Sequence, residues 1–190
     1  MNEPRELFTH QLKIQTAGLH EKLDHETLLA KVMDPTFTLA EYTQVLTKLC
    51  ECFTLVENSI LKAGGEKLFQ DYFYESRLPD LKKDLAALKQ SPAQFSVGAR
   101  SCDDSSMATA VGMIYVLQGS SLGGQFISKK LAGRMPESAL HFYGRSTHFV
   151  PAWAQFKEKL NHENNHLSLA QAVAGASHAF ETFYQVFMKS

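Results

Sequence analysis

The chain has 190 residues and a mass of 21.3 kDa, and 44% of the residues are hydrophobic, so we expect one domain over residues 1–190 with a substantial core. The net charge of -1 and the pI near 6.7 give no overall attraction to nucleic acid or to an anionic membrane. The polar N-terminus, MNEPRELFTH, lacks the apolar stretch of a secretory signal. We interpret the three cysteines, Cys50, Cys52 and Cys102, as free thiols of a reducing compartment. Both observations predict a cytoplasmic protein.

Apolar residues recur at helical spacing along almost the whole chain, and no segment alternates long enough to predict a strand. Pro4 favours the start of a first helix over about residues 5–23. A second helix begins after Thr38, which forms a capping-box pattern with Glu41, and ends at Gly64 and Gly65. Further helices are predicted over residues 68–75, 81–89, 105–128, 151–160 and 167–189. The pattern therefore predicts an all-α fold, a single-domain helical bundle.

The segment 105–128, SSMATAVGMIYVLQGSSLGGQFIS, is the most unusual part of the chain because it has no charged residue and four glycines. Gly119, Gly123 and Gly124 lie within six residues. A glycine inside a helix costs about 1 kcal/mol relative to alanine, so this density predicts a close approach of the backbone to a ligand or another helix, or a kink. Gly119 and Gly123 share one helix face, and Tyr115 lies one turn before them.

A membrane span and a phosphate-binding loop both fit this segment less well. It is long enough to span a membrane, and Gly119-x-x-x-Gly123 resembles a transmembrane packing motif. However, Gln118, Ser120 and further polar side chains would then lie in hydrocarbon. A phosphate-binding loop does not fit, because the glycines follow no strand and no Lys-Ser/Thr pair closes the motif. We therefore expect a buried helix in a protein without a membrane span.

A second group of candidate residues lies on the first predicted helix. His20 has Lys13 seven residues before it and Asp24 four residues after it, so the three side chains share roughly one face. A flat metal-bearing macrocycle such as heme needs an imidazole on one side, a close surface of small residues on the other, and a cation for its carboxylates. The chain offers all three.

The residues 162–166, HENNH, form a literal H-E-x-x-H, the pattern of a zinc site with a glutamate as general base. The asparagines are poor helix formers, the segment lies between two predicted helices, and no third ligand follows at a family spacing. Zinc chemistry is therefore the lesser alternative, and zinc bound at stoichiometry would revive it.

Three segments carry a resemblance to a known family. The run LHEKLDHETLLAKVMDPTFTLAEYTQVLTKL resembles the start of a heme oxygenase, GMIYVLQGSSLGGQFI resembles that family's distal helix, and AVAGASHAFETFYQVF is similar to its last helix. The resemblance covers nearly the whole chain and is closest to the bacterial, phytochrome-associated type. It implies a bundle that holds heme between a proximal N-terminal helix and a glycine-rich distal helix.

The resemblance also implies an activity and partners. The family opens heme to biliverdin with release of CO and ferrous iron, and it uses O₂ and electrons from an external reductase such as a ferredoxin or a flavin reductase. A biliverdin acceptor, such as a phytochrome, would be a further partner. Heme is then both substrate and prosthetic group, and no nucleic acid or membrane is involved.

The resemblance implies a role for residues on both sides of the heme. On the proximal side, His20 would bind the iron, Lys13 would meet a propionate, and Asp24 would hold the imidazole. The remaining residues would form the distal wall and line the edge of the macrocycle; they are Gly119, Gly123, Gly124, Tyr115, Phe180 and Phe187.

The distal motif departs from the family in its acidic residues. Ser120 stands where animal enzymes have an aspartate, and Gln118 stands where bacterial relatives often have a glutamate. Proton delivery is therefore assigned, as a hypothesis, to water held by backbone groups, Ser120, Ser121 or Gln118, with Gly119 and Gly123 completing the candidate catalytic residues. A heme-binding protein of the same fold with little or no activity is the alternative.

Overall fold

The computed structural model describes residues 7–65, 72–90, 106–163 and 166–189. These residues form seven α-helices: α1 Phe8–Glu26, α2 Leu39–Lys62, α3 Leu78–Ala87, α4 Met107–Leu131, α5 His141–Gly144, α6 Ser146–Glu163 and α7 Leu169–Met188. Short 3₁₀ helices at Leu28–Met33 and Glu137–Ala139 lie between α1 and α2 and between α4 and α5. No β-strand occurs in these ranges, and the predicted all-α fold is confirmed.

The ends of α2 follow from local signals in the sequence. The Oγ1 atom of Thr38 accepts a hydrogen bond from the Glu41 N–H at 3.2 Å, and the Glu41 carboxylate accepts one from the Thr38 N–H at 2.8 Å. This reciprocal pair is the predicted capping box. Beyond the C-cap Ala63, Gly64 adopts a φ of 68°, which glycine tolerates without a steric cost. Both predicted ends of this helix are confirmed.

Several predicted boundaries are wrong. The helix expected over 68–75 is not helical from Tyr72 onwards; Tyr72 is buried and Phe73 exposed, as in extended chain with a period of two. Helix α3 begins at Leu78 rather than 81, because Pro79 fits a first helical turn. Helix α6 begins before Pro151 and continues through it, although the proline supplies no N–H to the helix. The predictions over 66–71 and 91–105 lie outside the described residues.

Helix α7 is the centre of the core, because α1, α2 and α4 all pack against it. It approaches α4 very closely where two glycines face helix backbone. A methyl group added to Gly112 would collide with the carbonyl of Ala172, and one added to Gly175 would collide with the carbonyl of Thr109. The crossing therefore requires glycine in both helices, and it lies near the N-terminal end of each.

Two further expectations concern membranes and thiols. Within the described ranges, no helix combines the length and the apolar character that a membrane crossing needs. Cys50 and Cys52 are free and buried, and burial raises the pKa of both thiols, which makes them poor nucleophiles. Cys102 lies outside the described residues.

Candidate active site

His20 lies on the side of α1 that borders α7. Its Nδ1 atom is 3.0 Å from Oδ2 of Asp24, one helical turn later, and its side chain is 62% exposed. Its ring makes an edge-to-face contact with Phe180 of α7, with centroids 5.5 Å apart. Because Asp24 engages Nδ1, the imidazole is oriented with Nε2 free to bind a metal.

Asp24 also raises the pKa of His20. The hydrogen bond from the ring to Asp24 is the largest contribution, and it outweighs the burial that would lower the pKa. The pair therefore stabilises the fold fully below the ordinary histidine pKa of about 6.5, and this contribution is lost as the pH rises through the raised pKa. A metal requires the neutral ring, so protons compete with it at acid pH.

We expect Asp24→Asn to lower the pKa of His20 in the ligand-free protein, because the amide removes the negative charge and the charge-assisted hydrogen bond. The His20 ring-proton shifts in an NMR titration between pH 5 and 9 measure this directly. Glu21→Gln is the matched control, since Glu21 is an exposed acidic neighbour on α1. A larger change with Glu21→Gln than with Asp24→Asn would contradict the assignment of the shift to Asp24.

Lys13 lies two turns before His20 on the same side of α1. Seven residues of α-helix span roughly 10 Å. Its side chain is exposed, and it forms no ion pair within the described part of the chain. The structure thus places an unpaired cation and the free nitrogen of an imidazole along one helix face, as the sequence predicts.

Helix α4 presents bare backbone at Gly119 and Gly123. Among the described residues, a methyl group added to Gly123 would meet no atom within 4 Å, and one added to Gly119 would meet only the edge of the Trp153 ring at 3.8 Å. Gly112, two turns before Gly119, lies on the same helix face, but there α7 covers the backbone. The face is therefore covered by protein at one end and open at the other.

The open end of this face is apolar. We call Gly119, Leu122, Gly123 and Phe126 the open face of α4; Leu122 is 42% exposed and Phe126 is 68% exposed. Tyr115 lies at its edge, half-buried, with its ring 5.2 Å from that of Trp153. Bare backbone flanked by exposed apolar side chains suits a flat, apolar ligand.

Gly124 serves a different contact. A methyl group there would collide with Oγ of Ser146 at the start of α6 and would lie 3.8 Å from the Tyr143 ring. The residue is buried, and packing of α4 against α5 and α6 is sufficient to require a glycine. The structure does not bring Gly124 to the open face, so the predicted wall of three glycines becomes a wall of two.

The polar side chains of the glycine-rich segment differ in their access to solvent. Gln118 is 3% exposed, and its Oε1 atom has no hydrogen-bond partner among the described residues. Ser121 is fully buried and donates its hydroxyl to the Gln118 carbonyl at 2.7 Å. Ser120 is exposed and donates its hydroxyl to the Leu117 carbonyl at 2.7 Å. Of the three, Ser120 alone is accessible from outside.

Arg77, immediately before α3, is a residue of this region that sequence reasoning missed. Its side chain is 3% exposed. Nη1 donates to Oγ of Ser120 at 3.1 Å, and Nη2 donates to the Phe142 carbonyl at 2.9 Å and to Oγ of Ser146 at 3.1 Å. The surrounding ESRLPD is typical of an exposed helix start, and no local pattern signals a buried guanidinium.

The remaining predicted residues lie in or near the core. Phe180 and Phe187 of α7 are both buried, and Phe180 alone of the two has a ring contact with His20. His162 lies in the last turn of α6, while residues 164–165 of the H-E-x-x-H segment lie outside the described residues. In the parts of the chain that are described, no three His, Cys, Asp or Glu side chains are placed to hold a metal ion.

The chain is similar to proteins of one family over nearly its whole length. The family model described as Heme oxygenase matches residues 6–189. A heme oxygenase of Xanthomonas campestris pv. campestris (strain 8004) is 32% identical over 136 residues, which cover 65% of this chain and 80% of that protein.

Two solved structures are also similar. The heme oxygenase of Neisseria meningitidis, solved with NO and CO bound, has a TM-score of 0.72 and 25% identity, and the match covers 95% of this chain and 90% of that one. Heme oxygenase 2 of Chlamydomonas reinhardtii, solved without heme, has a TM-score of 0.67 and 16% identity over 96% of each chain, which shows a shared fold alone.

Proposed function

Because the chain belongs to the heme oxygenase family and is an enzyme that degrades heme, we propose that it binds heme between the His20 side of α1 and the open face of α4. One observation supports this placement of heme most directly. The glycine face of α4 is covered by α7 at Gly112, and it is open at Gly119 and Gly123, where no packing within the described protein requires a glycine. A ligand with a flat face accounts for the open part.

The residues present fit heme. His20 would bind the iron through Nε2, because Asp24 holds Nδ1, and Lys13 would pair with a propionate. The open face of α4 would contact the apolar ring, and burial of Leu122 and Phe126 would then remove exposed apolar surface from water. Phe180 would support the imidazole from the side of α7.

Bound heme supplies the iron at which O₂ is reduced and the ring that is oxidised. Because Gly119 and Gly123 have no side chain, helix α4 would let the ring approach its backbone to contact distance. A larger side chain at either position would separate helix and ring. Asp24 would keep the imidazole in one orientation during turnover.

Proton delivery is the part of the proposal that rests on Ser120 and Gln118. Ser120 Oγ already donates to Leu117 and accepts from Arg77, so it retains one lone pair for a water molecule. The Gln118 Oε1 atom is an acceptor without a protein partner among the described residues. We expect Ser120→Ala and Gln118→Ala to slow biliverdin formation by about tenfold each while heme binding is retained. Unchanged turnover in both variants would contradict this role.

Electron supply and product transfer belong to partners. Oxidation of heme by O₂ consumes electrons, and we assign them to an external redox partner such as a ferredoxin or a flavin reductase. A phytochrome as acceptor of biliverdin, and a cytoplasmic location, stay predictions from the sequence.

Anaerobic titration of the protein with heme, followed by addition of O₂ and a reductant, tests the proposed function. We expect a Soret band at 1:1 stoichiometry that disappears as the absorption of biliverdin and the ferrous iron released to a chelator appear. A Soret band that persists without biliverdin would mean a heme-binding protein. The absence of a Soret band would mean that the open face serves another ligand.

A further inference from the structure

Among the described residues, the buried cation Arg77 has no carboxylate partner. It forms no ion pair among the described residues, and its Nε atom has no hydrogen-bond partner there. Asp80, whose negative charge acts on Arg77, is engaged by the Arg145 guanidinium at 2.9 Å. Burying a charge without a contacting ion-pair partner is costly, so a position that retains one indicates a role beyond packing.

Aromatic rings and neutral oxygens surround the Arg77 guanidinium and do not neutralise its charge. The guanidinium carbon is 3.9 Å from the centroid of the Phe142 ring and 5.2 Å from that of Phe149. Ring faces and neutral oxygens stabilise a cation but leave its field intact. Burial lowers the pKa of Arg77 to about 10, so it stays protonated at neutral pH.

The charge is directed at α4. Of the hydrogen bonds that the Arg77 side chain donates, the one to Ser120 reaches an exposed residue. Ser120 lies beside Gly123 on α4, about 60° from it around the helix axis. The contacts with the Phe142 carbonyl and Ser146 fix the guanidinium from behind. The guanidinium therefore lies directly behind Ser120, near the Gly123 edge of the open face, and because its side chain is 3% exposed, water screens its charge weakly.

We propose that Arg77 is a positioning residue that makes the Ser120 side of the open face electropositive, so that the heme pocket favours an anionic ligand over a neutral one. This inference rests on the proposed function. It gives the distal side a fixed positive charge in a motif that has no carboxylate of its own.

Ligand binding to the ferric heme complex tests the inference without reference to turnover. Azide, an anion, and imidazole, neutral at pH 8, are titrated by absorption spectroscopy into the wild type, Arg77→Gln and Arg77→Lys. Glutamine retains hydrogen-bond donors without the charge, and lysine retains the charge without the planar fork. We expect Arg77→Gln to weaken azide about tenfold relative to imidazole and Arg77→Lys to stay within about threefold of the wild type.

Lys83→Gln is the matched control, because it removes an exposed cation of α3 that forms no ion pair among the described residues; its azide-to-imidazole ratio should not change. Ser120→Ala is a second variant at an exposed site, should Arg77→Gln fail to fold. This substitution removes the hydrogen bond between the guanidinium and α4, and the azide-to-imidazole affinity ratio should fall about threefold.

The outcomes distinguish a failure of the inference from a failure of the proposed function. A normal heme spectrum with an unchanged azide-to-imidazole ratio in Arg77→Gln, or in Ser120→Ala where Arg77→Gln does not fold, would overturn the inference alone. Equal losses in Arg77→Gln and Arg77→Lys would assign Arg77 a purely structural part and also overturn it. No heme spectrum in the wild type would overturn the proposed function and the inference with it.

Discussion

Replacing His20 by alanine is expected to abolish the histidine-type Soret spectrum of the heme complex and to lower biliverdin formation by more than about 100-fold. Loss of a partner that merely orients a metal ligand costs 10- to 100-fold in affinity or activity as a rule, so loss of the ligand itself should cost at least as much. The imidazole that Asp24 orients has no substitute on the same face of α1 within the described chain.

His25→Ala is the matched control. His25 is a second exposed histidine on α1, but five residues of helix rotate it about 140° away from His20. We expect its spectrum and turnover to equal those of the wild type. Added imidazole should partly restore the Soret band of His20→Ala, because it can enter the cavity left by the side chain. A retained histidine-type spectrum and normal turnover in His20→Ala would exclude this residue as the iron ligand.

The second large effect is expected from Gly175→Ala, which should lower the Tm of the heme-free protein by about 6–12 °C. The added methyl group would collide with the carbonyl of Thr109, so α7 and α4 must separate at their crossing. Overpacking of this kind costs about 3 kcal/mol, and each kcal/mol shifts the Tm by about 2–4 °C in a domain of this size. Thermal unfolding followed by circular dichroism measures the change.

Gly123→Ala is the matched glycine substitution, and its effects should have the opposite sign. No atom of the described residues lies within 4 Å of the added methyl group, so the heme-free protein should gain about 0.5–1 kcal/mol from the better helix propensity of alanine. Heme affinity should fall about tenfold, because the methyl group occupies the open face. A lower Tm together with unchanged heme affinity would show that Gly123 serves packing.

How far the sequence predicts this molecule depends on the range of the interaction. The capping box at Thr38 and the stop at Gly64 are local, so α2 is predictable from end to end. Proline is misleading at Pro151, because tertiary packing can carry a helix through a residue that would otherwise mark its first turn. The extended chain around Tyr72 also depends on tertiary packing, because its alternation of buried and exposed residues is set by contacts with other elements.

The candidate site also has a part that local sequence spacing predicts and a part that depends on distant contacts. His20, Asp24 and Lys13 lie on one helix, so their common face is predictable from spacing alone. The glycines cannot be sorted by spacing, because Gly112 and Gly124 face neighbouring chain segments, whereas among the described residues an added methyl group would meet only the Trp153 ring at Gly119 and no atom within 4 Å at Gly123. Arg77 reaches Ser120 across 43 positions of sequence, and no local pattern encodes such a contact.

Coverage of the open face of α4 by a ligand affects the stability of the folded enzyme. A ligand that covers Leu122 and Phe126 contributes to folding stability by mass action, about 2.7 kcal/mol at a free concentration 100 times its Kd. In the site that we propose, this ligand is heme, which the enzyme also degrades. Each turnover therefore removes a stabilising partner, and resistance of the protein to heat and proteolysis should track the supply of heme.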